Sequence, residues 1–244
     1  MSTERNHKSL GFLSGKETFN VDSKSTGFTV HDFWRFQFSN LWDMQGEVGE
    51  FVVSMALGNT EPDNKCGWTQ YDIDYGGKRI EVKTTAYYQP WKKEGQPVSQ
   101  QRTFSIRKAH KDEEDMSSPL VRNNDVYVFC LILGETQEDS NPLVLEHWRF
   151  WVVSTSVIND RCGDNKSISL NKIKKLTNNK CGLKYSDLKE AVDKCIDADN
   201  RKCFQDVEDY SRFSQDVKDI TLIRDGIKMI WSDEKDDYVP LKRQ

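Results

Sequence analysis

The chain has 244 residues, 36% of them hydrophobic and 30% charged, with a formal net charge of -4. That length allows one sizeable core, and we read a single main domain. A mean hydropathy of -0.75, with no apolar run near the roughly 20 residues of a membrane helix, leaves no role inside a bilayer to expect. The polar stretch Met1 to Lys24 lacks a secretory pattern, so a cytoplasmic location is expected. Six cysteines (Cys66, Cys130, Cys162, Cys181, Cys195 and Cys203) form no C-x-x-C pair, which argues for reduced thiols rather than a structural zinc site.

Residues 1–28 are polar with little periodicity and read as a loosely ordered arm. From Thr29 the pattern changes: Thr29-Val-His-Asp32 has the form of a helix cap with an acid at the third helical position. A second helix is predicted from about Asn40 to Leu57, with Leu41, Met44, Val48, Phe51, Val52 and Met55 at helical spacing.

Trp68 to Lys83 alternates around Gly76-Gly77, the signal of a tight β-hairpin. After a long polar loop, Gln89 to Gln101, a strand is predicted at Thr103 to Arg107, followed by a polar connection from Lys108 to Asn124. Asp125 to Leu133 is almost continuously apolar and reads as a strand buried on both faces. Trp148 to Val153 reads as the next strand, its tryptophans most simply assigned to the core. Two helices follow, Ser169 to Leu176 and Ser186 to Ala198, each opened by a serine that can cap it. Residues 29–198 thus make an α/β layered domain, and residues 199–244 an appendage packed on it. That last stretch fits a hairpin around Asp225-Gly226 or a helix; the hairpin is favoured because Gly226 inside a helix costs about 1 kcal/mol.

Counting outward from Gly76-Gly77 sets Tyr75 against Lys78, Asp74 against Arg79, Ile73 against Ile80, and Asp72 against Glu81. Ile73, Ile80 and Val82 then share the core face, with Asp72, Asp74, Arg79, Glu81 and Lys83 on the other. Opposed residues have Cβ atoms about 5 Å apart, where like charges destabilise a sheet, so Asp72 and Glu81 call for a compensating charge. Magnesium suits, since it commonly takes one or two carboxylates with water and substrate phosphate. Lys83, diagonally about 7–8 Å from Asp72, completes a set fit for phosphodiester hydrolysis. An acid two residues before a lysine recurs elsewhere, at Asp22/Lys24 and Asp63/Lys65 among others. Glu81 and Lys83 stand apart by lying in an alternating strand joined by a tight turn to another acid.

Tyr71-Asp-Ile73 with Ile80-Glu-Val-Lys-Thr-Thr85 resembles the PD-(D/E)xK nuclease superfamily, the restriction-endonuclease-like proteins, without the proline that precedes the first acid in its signature. The resemblance implies a central mixed β-sheet of four or five strands flanked by helices. It also implies Asp72, Glu81 and Lys83 as catalytic residues, and Asp72 and Glu81 as ligands of Mg2+, with Mn2+ able to substitute. Asp74, nearer the turn and opposite Arg79, is the weaker first acid. Many members carry a further glutamate on the preceding helix in a pattern that Gly46-Glu-Val-Gly-Glu50 matches, which nominates Glu50 as an additional ligand and Glu47 as the fallback. Lys92, Lys93, Arg102, Arg107 and Lys108 are the candidate phosphate contacts. The function expected is a DNA endonuclease, such as a restriction or defence enzyme. Its partners would be DNA, a homodimeric copy when both strands of a symmetric site are cut and, for a restriction enzyme, a methyltransferase. The alternative is a non-catalytic nucleic-acid-binding or assembly protein keeping the same fold.

Overall fold

The computed structural model describes residues 13–59, 70–90, 101–112 and 115–200, and the backbone of three further strands between 222 and 240. The chain opens with a hairpin, β1 (Thr18–Val21) and β2 (Lys24–Thr29), then α1 (Val30–Gln37) and α2 (Gln45–Ala56). β3 (Ile73–Tyr75), β4 (Lys78–Ala86), β5 (Thr103–Ser105), β6 (Ala109–His110), β7 (Leu120–Val121), β8 (Val126–Ile132) and β9 (Trp148–Ser154) follow. The remainder is α3 (Thr155–Cys162), β10 (Ser167–Ser169), α4 (Leu170–Leu176), α5 (Tyr185–Asn200), β11 (Leu222–Arg224), β12 (Ile227–Ser232) and β13 (Asp237–Pro240).

The centre is a mixed sheet in the order β3-β4-β8-β9, with β4 and β8 parallel and the other pairs antiparallel. Every residue of β8 and of β9 is buried. For β8 this follows from its position: both edges are hydrogen-bonded, so its polar backbone is satisfied while its side chains enter apolar layers on both faces. Alternation splits the core in two. Ile80, Val82, Val128, Cys130, Phe150 and Val152 face a layer closed by Val52 and Val53 of α2 and Leu188 and Val192 of α5. Tyr127, Phe129, Leu131, Trp151 and Val153 face the second layer, closed by Phe104, Ile158, Ile168 and Ile173. Trp148 and Trp151 belong to this core, their indole N–H groups donating to the carbonyls of Pro142 at 3.0 Å and Asn179 at 2.8 Å.

The expected hairpin forms in the expected register for Ile73 against Ile80, Asp74 against Arg79 and Tyr75 against Lys78, but the fourth expected pair, Asp72 against Glu81, does not form because β3 begins only at Ile73. Gly76 and Gly77 both have positive φ, 60° and 78°, the backbone that a two-residue turn between right-twisted strands demands. The Thr29 cap also forms: Asp32 N–H donates to Thr29 Oγ1, and Thr29 N–H to the Asp32 carboxylate at 2.9 Å. Ser169 caps α4 through the Lys172 N–H.

Several segments differ from the sequence reading: α2 begins at Gln45 rather than near Asn40, α3 and β10 were not expected, and α5 begins at Tyr185, which places Ser186 inside the helix rather than at its cap. Residues 18–29 are a hairpin rather than loose arm; its strands lie almost wholly exposed, so no buried face imprints an alternation on the sequence. The turn between them is Asp22-Ser23, with positive φ at both residues but no glycine to announce it. The connection 108–124 contains the β6–β7 pair, too short to show a pattern. The C-terminal stretch forms the favoured hairpin, Leu222–Arg224 with Ile227–Ser232, and departs from the reading only in adding β13 as a third strand.

Helix α2 seats on the sheet through Gly49. A Cβ there would collide with Thr84 Oγ1 and stand 3.0 Å from Thr84 Cβ. Gly49→Ala should lower the unfolding free energy by about 1–3 kcal/mol, the cost of overpacking, and Thr84→Ala in the same chain should recover part of it. Urea denaturation of the single and double variants checks this; equal losses in both would show that the helix rests elsewhere.

Candidate active site

β3 leaves the sheet just before Ile73, and the polar groups of β4 that it would have paired must be satisfied otherwise. The N–H of Asp72 still donates to the Ile80 carbonyl at 3.0 Å. One turn of alternation further along, the Val82 N–H points the same way and meets the Asp72 side chain, donating to Oδ2 at 2.7 Å. A carboxylate thus takes the place of the missing strand's carbonyl, a charge-assisted bond shorter than an ordinary ladder bond. It fixes Asp72 against the residue that lies between Glu81 and Lys83.

Glu81 and Lys83 face the second layer, because Ile80 and Val82 are committed to the first. Their side chains form an ion pair and are largely withdrawn from water, 19% exposed for Glu81 and 30% for Lys83. Directly beside Glu81 on the parallel strand is Tyr127, and beside Lys83 is Phe129. These two rings stack with centroids 5.5 Å apart. Burial, and after it the charge of Glu81, push the Tyr127 hydroxyl well above its ordinary range, so it stays protonated. Its neighbour Arg122 is also buried, 7% exposed. The guanidinium donates to the carbonyls of Ile106, Gly163 and Asn165 and to Asn159 Oδ1, tying the β5 segment to the end of α3. Tyr127 and Arg122 were invisible to the sequence reading, since only the long-range β4–β8 pairing brings Tyr127 beside Glu81, with Arg122 next to Tyr127.

The hairpin's other charges are used structurally. Asp74 accepts the Gly77 N–H at 3.0 Å and closes the turn. Arg79 pairs not with Asp74 opposite it but with Asp125, whose carboxylate takes the Arg79 backbone N–H at 2.8 Å and its Nε at 3.4 Å. Asp74 is thereby further removed from the role of first acid.

Glu50 is half-buried and Glu47 exposed on α2. Among the described residues, no three or more His, Cys, Asp or Glu side chains come together as a metal-holding group, so Glu50 does not join Asp72 and Glu81 in one donor set. Lys92 and Lys93 lie outside the described residues. Arg102 is half-buried; it donates to the Tyr87 carbonyl at 2.8 Å, lies 5.4 Å over the Tyr87 ring, and its pKa is lowered by burial. Lys108 is paired with Asp164 at 2.6 Å, holding that carboxyl below its usual range. Arg107 is exposed. Cys130, deep under the sheet, has its thiol pushed up by burial and further by the charge of Asp72, and is no nucleophile.

Comparison with protein-family models, with curated proteins and with solved structures finds no match to this chain.

The Asp72–Val82 bond has a consequence for stability. Asp72→Ala leaves the Val82 N–H without its acceptor and should cost about 1–3 kcal/mol, whereas Asp72→Asn, which keeps an oxygen in place, should cost clearly less. Thermal unfolding of the two variants decides; equal losses would mean that the bond does not hold the hairpin.

Proposed function

We propose that this chain is a magnesium-dependent endonuclease of the restriction-endonuclease-like kind, hydrolysing phosphodiester bonds in DNA. The observation that carries the reading is the anchoring of Asp72 on the Val82 N–H, between Glu81 and Lys83. Two carboxylates and a lysine are thereby held around one stretch of β4. A four-stranded mixed sheet flanked by helices is consistent with such a core.

The residues fit a hard divalent cation. Asp72 uses Oδ2 for the backbone bond, and the bond does not engage Oδ1. Glu81 carries its charge in a half-buried setting balanced by Lys83. Asp72 and Glu81 would hold Mg2+, or Mn2+ in its place, and two carboxylates are a sufficient protein share for an ion that keeps several waters and binds substrate phosphate. When bound, the ion supplies Lewis-acid stabilisation of the phosphoryl oxygens and a water of lowered pKa.

The chain's own groups do the rest. The Val82 N–H fixes the Asp72 carboxylate, so little reorganisation is needed when charge develops nearby. Glu81 holds the Lys83 ammonium beside it on the same face of β4. From there Lys83 either orients the attacking water or stabilises the charge gathering on the pentavalent phosphorus. The Tyr127–Phe129 stack and the core beneath it keep this side of β4 rigid and partly dry, which strengthens each of these interactions.

Purified protein incubated with plasmid and linear DNA in Mg2+ should cut both, and EDTA should abolish cutting. Asp72→Asn and Lys83→Met should each lower the rate by about 100- to 1,000-fold, as for the loss of one preorganised electrostatic group, with circular dichroism unchanged. Folded variants that cut like the wild type would sink the assignment. A wild-type protein that binds DNA yet cuts neither DNA nor RNA would make this a binding protein on a nuclease-like frame.

A further inference from the structure

The net charge of -4 conceals a segregation. Residues 161–184 contain seven Lys or Arg and one Asp, a local net charge of +6, so the other 220 residues together carry -10. The segment is not a loose tail. It comprises the end of α3, then β10 and α4, and the loop into α5, and its apolar residues Cys162, Ile168, Leu170 and Ile173 are buried in the second layer. Its end turns around the open edge of the sheet, where Leu183 and Phe150 exchange backbone hydrogen bonds at 2.8 and 3.0 Å.

With the apolar side chains committed to the core, the charged ones are turned outward. Arg161, Lys166, Lys175, Lys180 and Lys184 are all exposed. Among the described residues, Lys166, Lys175, Lys180 and Lys184 make no ion pair. Lys172 reaches across to the Arg161 carbonyl at 2.7 Å, joining α4 to the end of α3. Arg161 pairs with Asp160 at 2.9 Å, but the four exposed lysines without an ion pair, carried on ordered elements of an otherwise acidic molecule, are complementary to a dense, regular polyanion.

We propose that the surface formed by residues 161–184 is a docking track for the phosphate backbone of duplex DNA. Its first part, through Ile173, packs on the second face of the sheet, the face that also carries Glu81 and Lys83, and its end passes around the β9 edge to Leu183 in the first layer. The proposal rests on the nuclease reading and deepens it by assigning where the substrate's backbone is held. Contacts of this kind carry no base information; they position the duplex and dominate its affinity through counterion release.

The test is binding without cleavage. A fluorescein-labelled duplex of about 20 base pairs, long enough to present both strands over two helical turns, is titrated by anisotropy in EDTA, from about 50 to 200 mM NaCl, with three proteins. These are the wild type, Lys175→Gln/Lys180→Gln/Lys184→Gln, and a control of equal charge change, Lys16→Gln/Lys24→Gln/Lys111→Gln, whose lysines are equally exposed. Loss of three phosphate contacts should weaken binding about tenfold or more at about 100 mM salt and reduce the slope of log K against log salt by about 2.7. The control should stay within about twofold of wild type, as expected for charges off the track, and both variants should keep the wild-type melting temperature. Equal weakening of both variants, absence of wild-type binding, or binding to phosphatidylserine vesicles but not to the duplex would each overturn the proposal. A protein that binds in this lysine-dependent way yet cuts nothing would refute the nuclease reading and leave the track standing. Cutting by a triple variant whose binding is unchanged would do the reverse.

Discussion

The rest of the structure depends on the double satisfaction of β8. A seven-residue strand buried on both faces is tolerable only if neighbours on both edges take up its N–H and C=O groups, and β4 and β9 do so along its whole length. That requirement fixes the in-register parallel pairing of Ile80–Ala86 with Val126–Ile132. Once it is fixed, the alternation of β4 leaves no freedom. Ile80 and Val82 must enter the layer under α2 and α5, and Glu81 and Lys83 must emerge on the other side, next to Tyr127 and Phe129. The chemistry-bearing side chains owe their position to a core that contains neither of them.

A second constraint arises where β3 gives out. An N–H on a sheet edge costs little if water reaches it, but a carboxylate held there gains a charged bond and loses conformational freedom. Asp72 is therefore structural and, on the proposed reading, chemical as well: Oδ2 is bound by the backbone of β4, and Oδ1 is not part of that bond. This arrangement separates the effects of substitution. An asparagine preserves the bond and removes the charge, so stability and chemistry need not fall together.

The site hairpin was legible in the sequence because everything that defines it is local. Gly76-Gly77 fixes the turn, the turn fixes the register, and period-two alternation assigns the faces. The caps at Thr29 and Ser169, the existence and C-terminal end of α2 and the buried run of β8 were legible for the same reason. What could not be read were the consequences of long-range pairing. Nothing near Arg79 predicts that it will turn from Asp74, directly opposite, to Asp125, because that choice is made by the approach of β8. Tyr127 and Arg122 reach the site's surroundings in the same way. The hairpin at 18–29 was missed for the opposite reason: its pairing is local, but with both faces exposed its side chains carry no pattern of burial.

Under the proposed reading, whole-chain charge is a poor guide to partners. A site that holds carboxylates for a cation is negative by construction and repels a phosphodiester backbone until the cation is bound, so it cannot itself supply the attraction that brings a polyanion to it. The attraction must come from a separate surface, and the two surfaces tend to cancel in the net charge. Residues 161–184 and the acids at the β3–β4 hairpin would make such a division, one basic and backed by ordered elements, the other acidic and half-buried. On the proposed reading, the net negative charge of the remaining residues would favour the basic strip over other approaches for a bound duplex.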